Sequence, residues 1–257
     1  MSAFFELSGV TKNFGGVRAV DNMTFAIEKG ELAGLIGPNG AGKTTIFNLV
    51  TGVYGVDCGT ITFKGEDLAR FKTYDIVHKG ISRTFQNLRL FQRSSVVENV
   101  MTAAQHGIPY TFAEGMTHLG RWRRKEKEIK AKSMELLERV GLADRANQAA
   151  GTLPYGHQRR LEIARALALD PELLLLDEPA AGMNAEEVIS LNALIRDLHR
   201  DFELTILVIE HHMDLIMEIC PHIVCMNFGA KIAEGTPDEI QGHPEVLKAY
   251  LGEEEEE

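Results

Sequence analysis

Apolar positions along the chain fall into two kinds of segment, short continuous runs and longer stretches at helical spacing. Met23–Ile27 and Leu32–Ile36 are apolar or β-favouring and are separated by the turn Glu28–Gly30, which predicts two strands. Leu173–Leu176 and Leu204–Ile209 are unbroken apolar runs, as strands buried on both faces should be. Thr60–Phe63 and Ile81–Phe85 read as further extended segments. Helices are predicted over Lys43–Val50, Thr73–His78, Ser95–Ala104, Glu126–Val140, Arg159–Leu169 and Glu186–His199. In Glu126–Val140, the residues Ile129, Met134, Leu137 and Val140 lie at helical spacing. Ile223–Met226 and Lys231–Ala233 flank Asn227–Gly229, which predicts a hairpin. Thr236-Pro237-Asp238-Glu239 reads as a helix start, with a capping threonine, an early proline and acids in the first turn.

Strands and helices thus alternate up to about residue 86. The pattern is mostly helical from about Asn87 to Leu153, and alternation then returns. This order predicts an α/β core interrupted by an inserted helical subdomain.

Composition narrows the function classes. The 257 residues suffice for a large buried core. There are 27 Lys and Arg against 37 Asp and Glu, a net charge of −10, which argues against a general nucleic-acid binder. Glu253–Glu257 supply half of that excess and read as a solvated, frayed tail. The three cysteines, Cys58, Cys220 and Cys225, form no C-x-x-C pair and read as reduced thiols of a cytosolic protein. Met1–Phe14 lacks the basic-then-apolar pattern of a signal peptide. No apolar run approaches the roughly 18 residues of a membrane span. The chain is expected to stay out of the bilayer while remaining able to dock onto a protein within it.

Two motifs carry chemistry. Gly37-Pro38-Asn39-Gly40-Ala41-Gly42-Lys43-Thr44 fits G-x-x-x-x-G-K-[ST] between a buried strand and a helix. Glycines let successive N–H groups turn inward on phosphate oxygens, and the helix adds its positive end. Lys43 is expected on the β- and γ-phosphates, Thr44 on Mg²⁺, and Thr45 on a further phosphate oxygen. The second motif, Leu173-Leu-Leu-Leu-Asp177-Glu178-Pro179, ends a buried strand in two carboxylates. In a phosphate-loop protein the first can hold Mg²⁺ and the second can polarise water as a general base. Alone, the pair would read as two solvated acids at a strand exit. The phosphate loop upstream changes that reading to ATP and Mg²⁺ chemistry.

These motifs, with Gln86, the segment Tyr155-Gly-His-Gln158-Arg-Arg and His211, resemble the nucleotide-binding domain of ABC transporters over about residues 5–251. The resemblance implies a P-loop NTPase core with an N-terminal antiparallel β subdomain and an inserted helical subdomain. It implies limits of 1–86 and 159–252 for the two parts of the core, 87–158 for the helical subdomain and 253–257 for the tail. It puts Phe14 at adenine as a stacking ring and Val20 among the cofactor-binding residues. It puts Gln86 at Mg²⁺ and the attacking water, and His211 at the γ-phosphate. His212 stands where the family often has Asp and receives no role. Asn184, in the loop Ala181–Asn184, also replaces a usual Asp and loses its charge. The family signature L-S-G-G-Q reads Leu153-Pro154-Tyr155-Gly156-His157 here. Pro154 brings neither hydroxyl nor N–H, leaving Gly156 and the following helix start for the phosphate of a facing chain.

Finer segments resemble the LivG-type ATP-binding subunit of branched-chain amino acid importers. They are Gly80–Phe91, Tyr155–Arg165, Asp177–Asn184, Ile209-Glu-His211 and Pro244–Gly252. That implies a peripheral protein on the inner face of the cell membrane. Its partners would be a non-identical LivF-like ATPase subunit, two permeases and, indirectly, a periplasmic or extracellular solute-binding protein, with no nucleic acid. In isolation a monomer and a homodimer both remain open. An importer of another small solute such as urea or another amino acid, or a regulatory ATPase outside transport, stays as the alternative. Soluble ABC proteins of translation or DNA repair carry two cassettes or long coiled coils, which this chain lacks. The basic stretch Arg121–Lys132 suits a lipid surface, but Glu126–Lys130 and Glu128–Lys132 at i,i+4 suit a solvated helix face better.

Overall fold

The computed structural model describes residues 3–106, 121–211 and 213–251. The acidic tail 253–257 and His212 lie outside the described residues. Its strands are β1 (Phe5–Phe14), β2 (Val17–Ile27), β3 (Leu32–Ile36), β4 (Cys58–Phe63), β5 (Glu66–Asp67), β6 (Ile81–Arg83), β7 (Leu173–Asp177), β8 (Thr205–Glu210), β9 (His222–Asn227) and β10 (Ala230–Gly235). Its helices are α1 (Lys43–Val50), α2 (Thr73–His78), α3 (Val96–Ala104), α4 (Arg121–Arg139), α5 (Tyr155–Leu167), α6 (Ala185–Phe202), α7 (Met213–Ile219), α8 (Pro237–Gln241) and α9 (Pro244–Leu251). The chain divides into two units, Met1–Arg83 with Glu172–Glu257, and Thr84–Pro171.

The first unit holds two sheets. One is antiparallel, in the order β2-β1-β4-β5. The other runs β10-β9-β3-β8-β7-β6 and is parallel except for the β9–β10 hairpin. The apolar runs explain the centre of the parallel sheet. All five residues of β3 and all six of β8 are buried, and Leu35 pairs with Ile209 on one side and Val224 on the other. Phe5, Phe25, Ile46, Phe47, Phe63, Leu175, Ile209 and Met226 share one core, which joins the two sheets. β1 was hidden from the periodicity by its own irregularity. Phe5, Leu7 and Val10 are buried, but the register shifts between Leu7 and Val10 break the two-residue alternation.

The second unit packs α3, α4 and α5. It runs to Pro171, past the expected limit of 158, because α5 is bound to the segment that opens the unit. Arg159 donates to the carbonyls of Phe85 (2.8 Å) and Gln86 (2.6 Å). Glu162 accepts the Phe85 N–H at 3.1 Å, and Arg165 donates to the carbonyl of Arg89. α5 begins at Tyr155, not Arg159, with Pro154 as its N-cap, a position where a missing N–H costs nothing. On α4, Glu128 pairs with Arg124 at 3.0 Å and Lys132 with Asp170, in place of the expected Glu128–Lys132 pair. Cys58 is exposed, Cys220 and Cys225 are buried, and all three are free thiols. Burial pushes the Cys225 thiol up to about 12, so it stays protonated and inert. Among the described residues, no helix is long and apolar enough to cross a membrane.

Candidate functional site

The phosphate loop spans the turn from β3 into α1. Its backbone requires glycine at two points of close approach. A Cβ on Gly37 (φ +155°) would sit 2.1 Å from the Met226 carbonyl oxygen, and one on Gly42 (φ +106°) 2.4 Å from that of Ala19. Both obstacles are backbone and cannot move aside. The turn of the β9–β10 hairpin braces the loop from outside. The Gly229 N–H donates to the Ala41 carbonyl at 2.9 Å, and its own carbonyl accepts from Asp21 N at 2.8 Å. Lys43, 5% exposed, folds back so that its ammonium donates to the carbonyls of Gly37 and Pro38.

A cavity of about 320 Å³ opens over this loop. It is lined by Asn39 to Thr45, by Val17, Arg18 and Ala19 of the β1–β2 hairpin, by Phe228 and Gly229, and by Glu178. The loop backbone, Lys43, two threonines and Glu178 therefore line one hollow of ligand size. Phe228 is 86% exposed at the rim, with positive φ (+44°). Phe14 and Val20 are not among the lining residues. Phe14 stands on the same hairpin, 41% exposed, with its ring edge-on to Tyr54 at 5.0 Å. Val20 is fully buried in the core, and its neighbour Ala19 faces the cavity instead.

Asp177 ends β7, and Glu178 follows it with φ +46°, a strained conformation for a side chain with Cβ. The Glu178 N–H is held by the Ile209 carbonyl at 2.9 Å. His211 comes to the same place from the end of β8. Its Nδ1 lies 3.9 Å from Glu178 Oε1 and 3.8 Å from Glu210 Oε2. The structure therefore gathers Lys43, Thr44, Thr45, Asp177, Glu178 and His211 in the first unit. Gln86 and Gly156 belong to the second unit, where Arg159 grips the Gln86 carbonyl and Gly156 is buried in the first turn of α5.

Three features escaped the sequence reading. Glu210 is wholly buried and accepts the Ala180 N–H at 2.9 Å, tying the end of β8 to the turn after Glu178. A lone acid closing an apolar strand beside His211 was a usable signal. Arg83 is ion-paired with Asp177 at 2.6 Å, and no local pattern marks a contact that far along the chain. Asn184, expected in an inter-subunit loop, caps α6. Its Oδ1 accepts from Glu187 N at 3.0 Å, and Glu187 accepts the Asn184 N–H at 3.0 Å.

The profile of the family described as ABC transporter matches residues 20–181, more than half of the chain. The chain belongs to the ABC-transporter ATP-binding family. A second profile, branched-chain amino acid ATP-binding cassette transporter, matches residues 230–256 of this ABC protein. The high-affinity branched-chain amino acid transport ATP-binding protein BraF of Pseudomonas aeruginosa is 46% identical over 96% of this chain and 97% of its own length. The protein of the same description named LivG, from Escherichia coli (strain K12), is 42% identical over 96% and 97%. Among solved structures, an ATP-binding cassette of an ABC transporter in its ADP conformation superposes with a TM-score of 0.85. It is 28% identical, covering 98% of this chain and all of the other. The ABC cassette fold inferred from the motifs is thereby shown, with its antiparallel sheet, its phosphate-loop core and its helical unit.

Proposed function

We propose that this chain is the ATP-hydrolysing subunit of an importer for branched-chain amino acids. One observation carries the chemical half. The phosphate loop and Glu178 line a single cavity, with His211 within 4 Å of the Glu178 carboxylate. The near full-length likeness to BraF and LivG supports the importer half.

In this reading the loop N–H groups and Lys43 bind the triphosphate, and Thr45 adds a hydroxyl. The Lys43 ammonium donates to the Gly37 and Pro38 carbonyls, which keep it at the loop. The Thr44 hydroxyl lines the cavity and the Asp177 carboxylate directly precedes Glu178. Two hard oxygen donors suit Mg²⁺, which supplies charge neutralisation of the phosphates when bound. Glu178 accepts a proton from the attacking water, and His211 senses the γ-phosphate. Gln86 relays the state of the site to the helical unit. The facing subunit's phosphate would meet Gly156 and the start of α5. Because Pro154 lacks the signature hydroxyl, the partner cassette is a non-identical chain that supplies one. Two permeases and an external solute-binding protein complete the assembly, with this chain on the inner face of the membrane.

Glu178→Gln keeps the shape and removes the base. ATP turnover is expected to fall by about 10²–10⁴-fold, while ATP binding stays within about twofold. Undiminished turnover in that variant rules out Glu178 as the base.

A further inference from the structure

Arg83, the last residue of β6, has so far no role. Its side chain is 7% exposed and that of Asp177 is 1% exposed. Nη2 donates to Asp177 Oδ2 at 2.6 Å, and Nη1 donates to Asn48 Oδ1 at 2.7 Å. The Phe47 ring lies 5.4 Å from the guanidinium carbon. Asn48 and Phe47 belong to α1, the helix that the phosphate loop opens, and Asp177 closes β7 just before Glu178. One side chain therefore ties the helix behind the phosphates to the strand that carries the acids.

Burying an arginine and a carboxylate costs desolvation that an apolar pair of the same volume avoids, so such a pair is a poor stability device. It is a good orienting device. The planar fork fixes a carboxylate in a way that the point charge of lysine does not. The cost of the charge is plain too, because a cation 2.6 Å from Asp177 repels a divalent ion. Orientation must outweigh that repulsion for the arrangement to serve the site.

We propose that Arg83 is a positioning residue for Asp177, holding its carboxylate in the orientation that receives the divalent cation of the nucleotide. This rests on the reading of Asp177 as a cation-binding group. The measurement is the ratio of ATP affinity in excess Mg²⁺ to that in EDTA, taken on the full chain by nucleotide titration. Removing an outer partner of a metal ligand typically weakens metal binding about 10- to 100-fold. Arg83→Met is expected to lower the ratio by that order, and Arg83→Lys, which keeps charge without the fork, to lower it by less. ATP affinity in EDTA is expected to stay within about twofold in both. A purely structural tie would leave the ratio unmoved. A folded Arg83 variant whose ratio equals or exceeds that of the wild type overturns the proposal. If Arg83→Met does not fold, Asn48→Ala loosens the same guanidinium from its other side. A lowered ratio there supports the proposal and an unchanged one overturns it. Asp177→Asn separates the two layers. It should collapse the ratio towards one, and an unchanged ratio in that variant removes the reading of Asp177 itself and the proposal with it.

Discussion

Phe14 and Phe228 divide the question of what holds the base. Family resemblance puts Phe14 at adenine, yet its ring rests edge-on to Tyr54 while Phe228 stands at the cavity rim. The β1–β2 hairpin that carries Phe14 also lends Val17, Arg18 and Ala19 to the cavity wall. Phe14→Ala is expected to weaken ATP binding by about 1–3 kcal/mol, the usual worth of a base–aromatic stack, and to leave inorganic triphosphate binding nearly intact. Calorimetric titration with both ligands checks this, and equal losses would rule out stacking. The phosphate loop was legible because Gly37, Gly42, Lys43 and Thr44 stand at the fixed offsets of its pattern. Val20 lies in the core while Ala19 lines the cavity, because neighbours on a strand point to opposite faces and the parity of β2 emerges only with its pairing. Arg83 was invisible, since its meaning lies in Asp177 and Asn48, which fold beside it from distant segments.

At the scale of elements, continuous apolar runs were the most readable signal. β3, α1 and α2 appear with the expected limits, while β1, with its bulges, and the seven-residue α7 gave no clear period. Ion pairs then lock elements together. Arg159 and Glu162 are buried side by side at 3.2 Å and clamp the backbone of Phe85 and Gln86 to α5. Burial raises the Glu162 carboxyl, and the Phe85 N–H and Arg159 only partly offset it. Arg159→Ala strands that carboxylate and is expected to cost about 3–5 kcal/mol in urea unfolding. A second lock joins β9 to its neighbours. His222 Nδ1 meets Glu31 at 2.6 Å and Nε2 meets Glu234 at 3.1 Å. The hydrogen bond to Glu31 lifts the His222 pKa above 6.5; burial opposes this, and the charges of Glu31 and Glu234 add to it. Burial pushes Glu31 up, but the His222 and Glu28 hydrogen bonds bring it below 4.5. The His222 contribution is complete below 6.5 and lost as pH rises through the higher folded value. The Glu31 contribution is complete above 4.5 and lost as pH falls through the lower folded value. The melting-temperature gap between wild type and His222→Gln is therefore expected to be widest between pH 4.5 and 6.5 and to narrow as pH rises above that range. A gap that widens with pH would contradict this sign.

At the scale of the whole molecule, the cavity over the phosphate loop is a feature of the first unit alone. Its lining residues, Lys43, Thr44 and Glu178 among them, all belong to the first unit, whereas Gln86 and Gly156 belong to the second. Pro154 at the N-cap of α5 has no side-chain oxygen to offer a facing phosphate. The architecture was legible from the order of the apolar runs and from the two motifs. The limits of the helical unit were not, because they are set by the side chains of α5 gripping Phe85, Gln86 and Arg89. No contact of this chain with the solute is expected, since a subunit that binds ATP need not touch the cargo. The most direct test of the account is leucine uptake in cells that depend on this chain for the ATPase subunit. Wild type should sustain ATP-dependent uptake and Glu178→Gln should abolish it while the protein remains membrane-associated. Uptake that persists with Glu178→Gln, or in the absence of the chain, would contradict the account.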